Sequence, residues 1–544
     1  MAAAERIGVA ALDAAVTGPA SRSEAVGLGS PSAAVFQPSR RSRKIAHIVA
    51  ADLRRQILRG DFAADQQLSS EGEMAAVLGV SRETLREALR ILEAQHLVDV
   101  RRGRGGGVVV RRPGLAAVAR YTALLVQLRG ATIAHLEEAR SVLEPPAAEL
   151  VALRSGTEGL DHLMGLHERV RAAESDPLAF ATAVATFDQA VTDLSGNRSI
   201  GVIAGMLREI YAGQVFAAVN PAIGPAAERV RRRTLAGHGE FLTAAQRRDA
   251  ETARRVWSDY LLATSRLWVS RSRSQQPIDV APLWRARGGG AAAAGLGGPM
   301  PPARAATAIA SEIRARIAEG SLAEGDRLAS LAELSAEFGV SRPTLREALR
   351  TLEMESLLEL RAGDRAGPLV CHPSTQVATQ LAGTVLEARR TTLGDFFHAL
   401  RLIEPAMVEL AATRFDQASI PDLRAVAAEL TDAAGVLDMP WFAGVWPRGA
   451  AIVFAGTGNP VLAVVAEILQ WVRVSTRPAL AMPPDDPWTA MAGRLAAQFN
   501  DLIDALADGD AARARACWTA MLDVNTPFVE SAEFAERLMI DVID

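Results

Sequence analysis

The sequence predicts a mainly α protein built twice over. Each half begins with a helix-turn-helix carrying a small β-hairpin wing and continues as an all-α helical bundle. Three observations predict it. Residues 79–93, GVSRETLREALRILE, recur at 339–353 as GVSRPTLREALRTLE, differing only at Glu83/Pro343 and Ile91/Thr351, which marks an internal duplication. The first copy is followed by short Val-rich runs around a Gly/Arg turn, the pattern of a hairpin. Beyond both copies, residues 114–275 and 374–544 read as helix with short breaks.

Ser81 stands where a helix N-cap belongs, directly after the Gly79-Val80 turn. Leu85, Leu89 and Leu92 follow at helical spacing and predict a buried stripe, while Arg82, Arg86 and Arg90 fall on the opposite face. Upstream, Ser70 and Glu73 form a capping box, and Met74, Ala75 and Leu78 lead to Gly79 as the C′ glycine. Ser330, Glu333, Leu334 and Gly339 repeat the arrangement. Two short helices joined by a tight turn, the second with arginines outward, make a helix-turn-helix. Taken alone, one copy also fits an ordinary amphipathic helix with a solvated basic face.

The flanks decide between the two. IAHIVAADLRRQILRGDFAADQQLSSEGEMA precedes the first copy and IASEIRARIAEGSLAEGDRLASLAELS the second; AQHLVDVRRGRGGGVVVRRP follows the first as strand, Gly/Arg turn and strand. The block resembles the winged helix-turn-helix of the GntR family of bacterial transcriptional regulators.

The length of 544 residues implies several domains. Net charge is only −4, so a nucleic-acid site must come from local charge. Cys371 and Cys517 have no CxxC or His partner at metal-ligand spacing, which fits a reduced, cytoplasmic protein. No apolar run reaches the roughly eighteen residues needed to span a membrane, and the N-terminal stretch lacks a clear secretory pattern.

Residues 1–40, rich in Ala, Ser, Gly and Pro, are expected to be a disordered arm ending in the basic cluster Arg40, Arg41, Arg43 and Lys44. That cluster fits either phosphate tracking or a solvated charge run. Residues 41–113 form the first winged domain and 303–373 the second. Residues 40–112 hold 15 basic and 9 acidic residues, a net +6, whereas 303–373 hold 9 and 11, a net −2. The first wing offers Arg101, Arg102, Gly103, Arg104 and Gly105 to a groove; the second has Asp364 and Pro368 and is a poorer probe. Residues 276–302, rich in Gly, Ala and Pro, are expected to be a flexible linker spanning ~25–30 Å, enough for the halves to pack side by side.

The resemblance implies DNA contacts from Ser81, Arg82, Glu83, Thr84 and Arg86, from Arg102, Arg104 and Gly105 of the wing, and in the second copy from Ser341, Arg342, Thr344 and Arg346. Relatives carry a further Arg early in the first helix of the motif. Gly72 and Ala332 occupy that position here, which leaves Arg82, Arg86, Arg342 and Arg346 as the main candidates.

The helical segments, 114–275 and 374–544, share the landmarks Glu144-Pro145, Gly196-Asn197 and Asp249, recurring as Glu404-Pro405, Gly458-Asn459 and Asp510. They resemble the effector domain called FCD of the FadR branch of the family. Many such domains bind a divalent metal through an Asp and three His beneath a small carboxylic acid. At the matching positions the first half has Val184, Asp188, His238 and Tyr260, and the second has Trp446, Ala450, Phe499 and Met521. Metal binding needs several O or N donors, so no metal is expected in the second pocket, and His238 is read as a hydrogen-bonded pocket residue rather than a ligand. No other cofactor is implied. Arg140 is either a carboxylate clamp or an i,i+4 partner of Glu144. The expected effector residues are Arg140, Asp188, Asn197, His238 and Tyr260. In the second half Leu400 replaces Arg140, and the pocket is expected to be filled by its own apolar side chains.

No catalytic residues are expected: GxSxG, P-loop, HExxH and a GxGxxG opening a helix after a strand are all missing, and the RGRGGG segment is followed by a strand as a wing requires. The expectation is therefore a DNA-binding transcriptional regulator, with double-stranded operator DNA and a small-molecule effector as partners. It is either an intramolecular pseudo-dimer or a homodimer. The alternative is a ligand sensor or scaffold whose second half has lost specific DNA binding.

Overall fold

The computed structural model describes residues 40–95, 97–101, 107–111, 114–216, 225–268, 274–281, 302–360, 367–435, 439–476, 487–524 and 532–539. It divides into two compact units, one ending at Pro113 and one running from Gly114 to Ile543.

The first unit contains α1 (Arg40–Arg59), α2 (Glu71–Val77), α3 (Arg82–Ala94), β1 (Val98–Arg101) and β2 (Gly107–Val110). The Leu stripe of α3 builds its core: Leu85, Ala88, Leu89 and Leu92 are buried with Ala46, Val49, Leu53 and Ile57 of α1. The capping box is formed, with the Glu73 N–H donating to Ser70 Oγ and the Ser70 N–H to Glu73 Oε2. Gly79 adopts φ +63°, the left-handed conformation that turns the chain from α2 into α3. Strands β1 and β2 pair antiparallel from Val98↔Val110 to Arg101↔Gly107. The basic cluster from Arg40 to Lys44, expected at the end of a disordered arm, is the start of α1, because it continues directly into the amphipathic run that packs on α3. The rest of the arm lies outside the described residues.

The second unit opens with a helical bundle of α4 (Leu115–Leu128), α5 (Ile133–Leu143), α6 (Pro145–Arg154), α7 (Thr157–Ala172), α8 (Pro177–Leu194), α9 (Arg198–Phe216), α10 (Pro225–Gln246) and α11 (Ala250–Trp268). A second winged domain follows: α12 (Pro302–Ala318), α13 (Leu331–Glu337), α14 (Arg342–Met354) and the short strands β3 (Leu358–Glu359) and β4 (Leu369–Val370). The second bundle comprises α15 (Thr375–Ala388), α16 (Leu393–Ala412), α17 (Ile420–Gly435), α18 (Met439–Ala455), α19 (Pro460–Ser475), α20 (Pro487–Asp508), α21 (Ala511–Asp523) and α22 (Ala532–Ala535).

The two bundles pack on each other through α4, α5 and α9 of the first and α15, α16 and α19 of the second, and one apolar core runs across the contact. The polar contacts repeat about a pseudo-two-fold axis. Asn197 Nδ2 donates to the Asp395 carbonyl oxygen at 2.9 Å, and its counterpart Asn459 donates to the His135 carbonyl oxygen at 2.8 Å. Arg414 forms a bidentate pair with Glu138 at 2.7 and 3.1 Å. At the mirrored place Arg154 meets His398, with Nη2 3.4 Å from Nδ1.

The second winged domain is held by α4 of the first bundle. Tyr121 donates its hydroxyl hydrogen to the Glu355 carbonyl oxygen just past α14, at 2.9 Å, and accepts from the Ser374 N–H at 3.2 Å. Gln127 donates to the Ala318 carbonyl oxygen at the end of α12 and accepts from the Val280 N–H. Inside the domain, Arg314 and Glu355 form a largely buried bidentate pair at 2.6 and 2.7 Å.

Residues 276–281, expected to begin the flexible linker, are instead docked on the first bundle. Ile278, Val280 and Ala281 are at most 1% exposed. The Ile278 N–H bonds to the Ala131 carbonyl oxygen and the Ile133 N–H to that of Gln276, while the backbone of Asp279 is bonded on both sides by the Gln214 amide. Gly/Ala/Pro composition downstream masked this short apolar segment. The second half repeats the device, with Leu393 N–H to the Arg537 oxygen and Met539 N–H to the Thr391 oxygen.

Candidate functional site

In the first winged domain Ser81, Arg82, Glu83 and Arg86 are exposed on one end of α3. Ser81 is the N-cap: its Oγ accepts from the Thr84 N–H at 3.1 Å and lies 2.8 Å from Thr84 Oγ1. Thr84 is accordingly buried and serves the helix start. The Arg82 guanidinium lies over Gly72, where an added Cβ would stand 3.4 Å from Nη2; the missing side chain of α2 leaves this room. Arg86 Nε donates to Glu71 Oε2 at 2.8 Å, with the Arg86 side chain still 60% exposed, a geometry that groove phosphates or bases can compete for. Arg102, Arg104 and Gly105 lie outside the described residues. In the second winged domain Ser341, Arg342 and Arg346 are exposed and Thr344 is buried. Ser341 caps α14 in the same way. Leu331 stands where Glu71 does, so Arg346 has no counterpart of the Arg86–Glu71 pair.

In the first bundle Arg140, Asp188, His238 and Tyr260 converge in one buried cluster, from α5, α8, α10 and α11. Arg140 Nε donates to Glu144 Oε1 at 2.6 Å, and its Nη2 stands 4.0 Å from Asp188 Oδ2. Burial alone would lower the Arg140 pKa, but Glu144, Tyr211 and Asp188 more than offset it, so the guanidinium stays charged. Tyr260 donates to Asp188 Oδ1 at 3.1 Å, and burial together with that carboxylate holds its phenol well above the ordinary tyrosine range. The ring of His238 is stacked on Phe187 at 4.0 Å between centroids. Its Nε2 stands 3.5 Å from Asp188 Oδ1, and neither ring nitrogen has a hydrogen-bond partner. His238 is therefore not the hydrogen-bonded residue expected: stacking on Phe187 rather than polar contact fixes its ring. The indole nitrogen of Trp257, also buried, lacks one too. Gly237 allows the close approach of Tyr260, whose Cβ would stand 2.9 Å from an added methyl. Arg140 is the i,i+4 partner of Glu144, and the pair is buried within the cluster rather than exposed.

Asn197 is not part of this cluster. Its Oδ1 accepts from the Ile200 N–H and caps α9, and its Nδ2 crosses to Asp395. Arg208, which the sequence reading missed, belongs instead: Nη1 reaches Glu144 Oε2 at 3.3 Å, and Nη2 reaches Gln189 Oε1 and Thr192 Oγ1, both at 2.8 Å. Its signal was a lone arginine inside the apolar run GVIAGMLREI. Among the described residues no group of three or more His, Cys, Asp or Glu side chains is placed to hold a metal ion.

The matching region of the second bundle is packed shut. Trp446, Ala450, Phe499 and Met521 are at most 2% exposed, and the Trp446 ring lies 6.0 and 5.9 Å from those of Phe499 and Trp518. One acid is buried among them. Glu404 accepts from Gln470 Nε2 at 2.6 Å and from Trp518 Nε1 at 2.8 Å. Burial pushes its pKa up to about 7, with Arg473, Trp518 and Gln470 opposing.

Winged helices joined to helical bundles with a buried polar cluster define a class: DNA-binding transcription regulators with a ligand-sensing domain. The comparisons narrow it. Residues 46–108 and 305–366 match the bacterial regulatory proteins of the gntR family, and residues 135–263 and 395–524 match the FCD domain. An HTH-type transcriptional regulator of Mycobacterium tuberculosis, itself uncharacterized, is 32% identical over 184 residues, 34% of this chain and 74% of its own. The HTH-type transcriptional repressor NanR of Cronobacter sakazakii is 24% identical over 245 residues, 43% of this chain and 89% of its own. Among solved structures, a Streptococcus agalactiae GntR protein aligns over 41% of this chain and 99% of its own, at 22% identity and a TM-score of 0.31. The chain belongs to the GntR family of transcriptional regulators, in its FadR subfamily, with both the winged domain and the FCD domain present in tandem. No helix among the described residues is long and apolar enough to cross a membrane.

Proposed function

We propose that the first half reads DNA and senses the effector, and that the second half serves as its built-in partner. Arg82 and Arg86 enter the groove of an operator, helped by Ser81 and Glu83 at the same helix end and by Arg102, Arg104 and Gly105 of the wing. The net +6 of the first winged domain supplies the phosphate attraction. Arg342 and Arg346, in a domain of net −2, contribute less. The effector is a small carboxylate held in the first bundle. Its oxygens take up the unpartnered nitrogens of His238 and Trp257 and compete with Asp188 for Arg140 and Tyr260. Occupancy shifts the population of bundle conformations and with it operator affinity.

The observation that carries this reading is the asymmetry of the two bundles. Arg140, Asp188 and the unpartnered nitrogens of His238 and Trp257 converge in the first, whereas in the second Trp446, Trp518 and Phe499 fill the same place around the hydrogen-bonded Glu404 and the buried Arg473. Selection and sequencing of bound genomic fragments tests it, followed by titration with a panel of small carboxylic acids. Wild-type protein should enrich a shared site, and at least one acid should release it. Enrichment unchanged in Arg82→Ala/Arg86→Ala would overturn the DNA assignment. Release unchanged in His238→Ala would overturn the effector site.

A further inference from the structure

Charge is divided unevenly along the chain. Residues 40–275 hold 34 basic and 26 acidic residues, a net +8, whereas 303–544 hold 21 and 33, a net −12. The winged domains account for part of the difference, and the bundles for more. On α10 of the first bundle, Val230, Thr234, His238, Phe241 and Leu242 face inward. That leaves Arg229, Arg232 and Arg233 exposed together, at i, i+3 and i+4. None of the three has an ion pair or hydrogen bond among the described residues; the neighbouring Glu228 is taken by Arg231 at 2.9 Å. The matching positions of the second bundle, counted from Asp249 and Asp510, are Ala490, Gly493 and Arg494. Only the third arginine recurs, so the fold does not require the cluster of three.

We propose that the Arg229–Arg232–Arg233 face is a second DNA-contact surface, one that grips duplex phosphates in addition to the winged domain. Three guanidinium groups on adjacent turns, with no carboxylate bonded to them among the described residues, are complementary to a line of phosphates. A chain already held on DNA by its winged domain presents this face at high effective concentration, so contacts too weak to bind alone still add to affinity. The contact reads no sequence, because it reaches only the backbone. The inference rests on the DNA-binding reading but concerns different residues, so the two can fail separately.

The test uses full-length protein and a random-sequence 60-bp duplex, with fluorescence anisotropy across a salt series. Arg229→Gln/Arg232→Gln/Arg233→Gln should lower the log–log salt slope by about 2–3. The corresponding triple Lys variant should restore the slope, and the melting temperature should not move. Arg247→Gln/Arg248→Gln/Arg255→Gln, which removes the same charge elsewhere on the bundle, should change the slope far less. A slope unchanged in the first variant overturns the proposal. So does an equal fall in both Gln variants, which would mean that only overall charge matters. Loss of affinity for anionic vesicles, or for a second copy of the chain, without loss for DNA would also overturn it. Operator enrichment that fails in Arg82→Ala/Arg86→Ala, while this slope persists, separates the two claims.

Discussion

Asn197 and Asn459 do the same job on opposite sides of the pseudo-two-fold axis: each caps its own helix through Oδ1 and donates through Nδ2 to a backbone carbonyl of the other bundle. Glu138 accepts from Asn459 Nδ2 as well, and it binds Arg414. Burial raises the Glu138 pKa, but Arg414 and Asn459 outweigh it and hold the carboxyl below its ordinary value of 4.5. Its contribution is therefore present above about pH 4.5 and lost as pH falls. After cleavage at a protease site engineered beyond Ala281, the halves should stay together at neutral pH and come apart more readily in acid. Glu138→Ala should weaken their association by about 1.5–3 kcal/mol. Sedimentation of the cleaved protein reads both outcomes, and free separation of wild-type halves at pH 7 would contradict the interface.

The winged domains should contribute unequally to binding. Arg82→Ala/Arg86→Ala is expected to abolish specific binding, and Arg342→Ala/Arg346→Ala to cost less and to lower the salt slope less. Both pairs are solvent-facing, so the variants should remain folded. Gel-shift titration at fixed salt decides, and equal losses would show that local charge does not set the division of labour.

Tyr121→Phe removes one hydroxyl that makes two bonds to the second winged domain and its exit helix. The loss should be about 1–3 kcal/mol, because the Glu355 carbonyl and the Ser374 N–H both lose their partner. Hydrogen exchange should quicken around 353–376 and stay unchanged around Phe187. Uniform quickening across the chain would mean that Tyr121 supports the global fold rather than this one attachment.

Glu404 gives the second bundle a pH dependence of its own. Its folded pKa, about 7, lies above the ordinary 4.5, so the protonated form is favoured in the folded state. Its contribution is full below about pH 4.5 and is lost as pH rises through 7. The difference is on the order of 3 kcal/mol. Glu404→Gln should lose one of the two bonds at every pH but flatten the stability change between pH 5 and 8. Denaturant unfolding at both pH values measures it, and parallel curves for wild type and variant would refute the buried acid.

The helix-turn-helix was legible because its rules are local: Ser81, Gly79 and the Leu stripe each specify a conformation within a few residues. The buried cluster was legible only where family spacing carried over, at Arg140, Asp188, His238 and Tyr260. Asn197 misled because the same short motif that marks the pocket region also builds the contact with the other bundle. Its persistence as Asn459, in a half that had lost every other candidate, pointed to structure rather than ligand. Residues 276–281 were hidden by neighbouring composition, and the turn at Ala131–Ile133 that they pair with is distant in sequence. Nothing local announces such a pairing.

His398 stands where Glu138 stands in the other half, and meets Arg154 through a single ring nitrogen at 3.4 Å rather than through a bidentate ion pair. Burial, Arg154 and Arg401 hold its pKa down, so it stays neutral beside them. In an assembly of identical subunits, replacing that glutamate would remove both ion pairs at once. Joining the two copies in one gene confines each inherited change to one side of the axis. Mutations that a homodimer would suffer twice can be tolerated here, and the two halves are free to specialise.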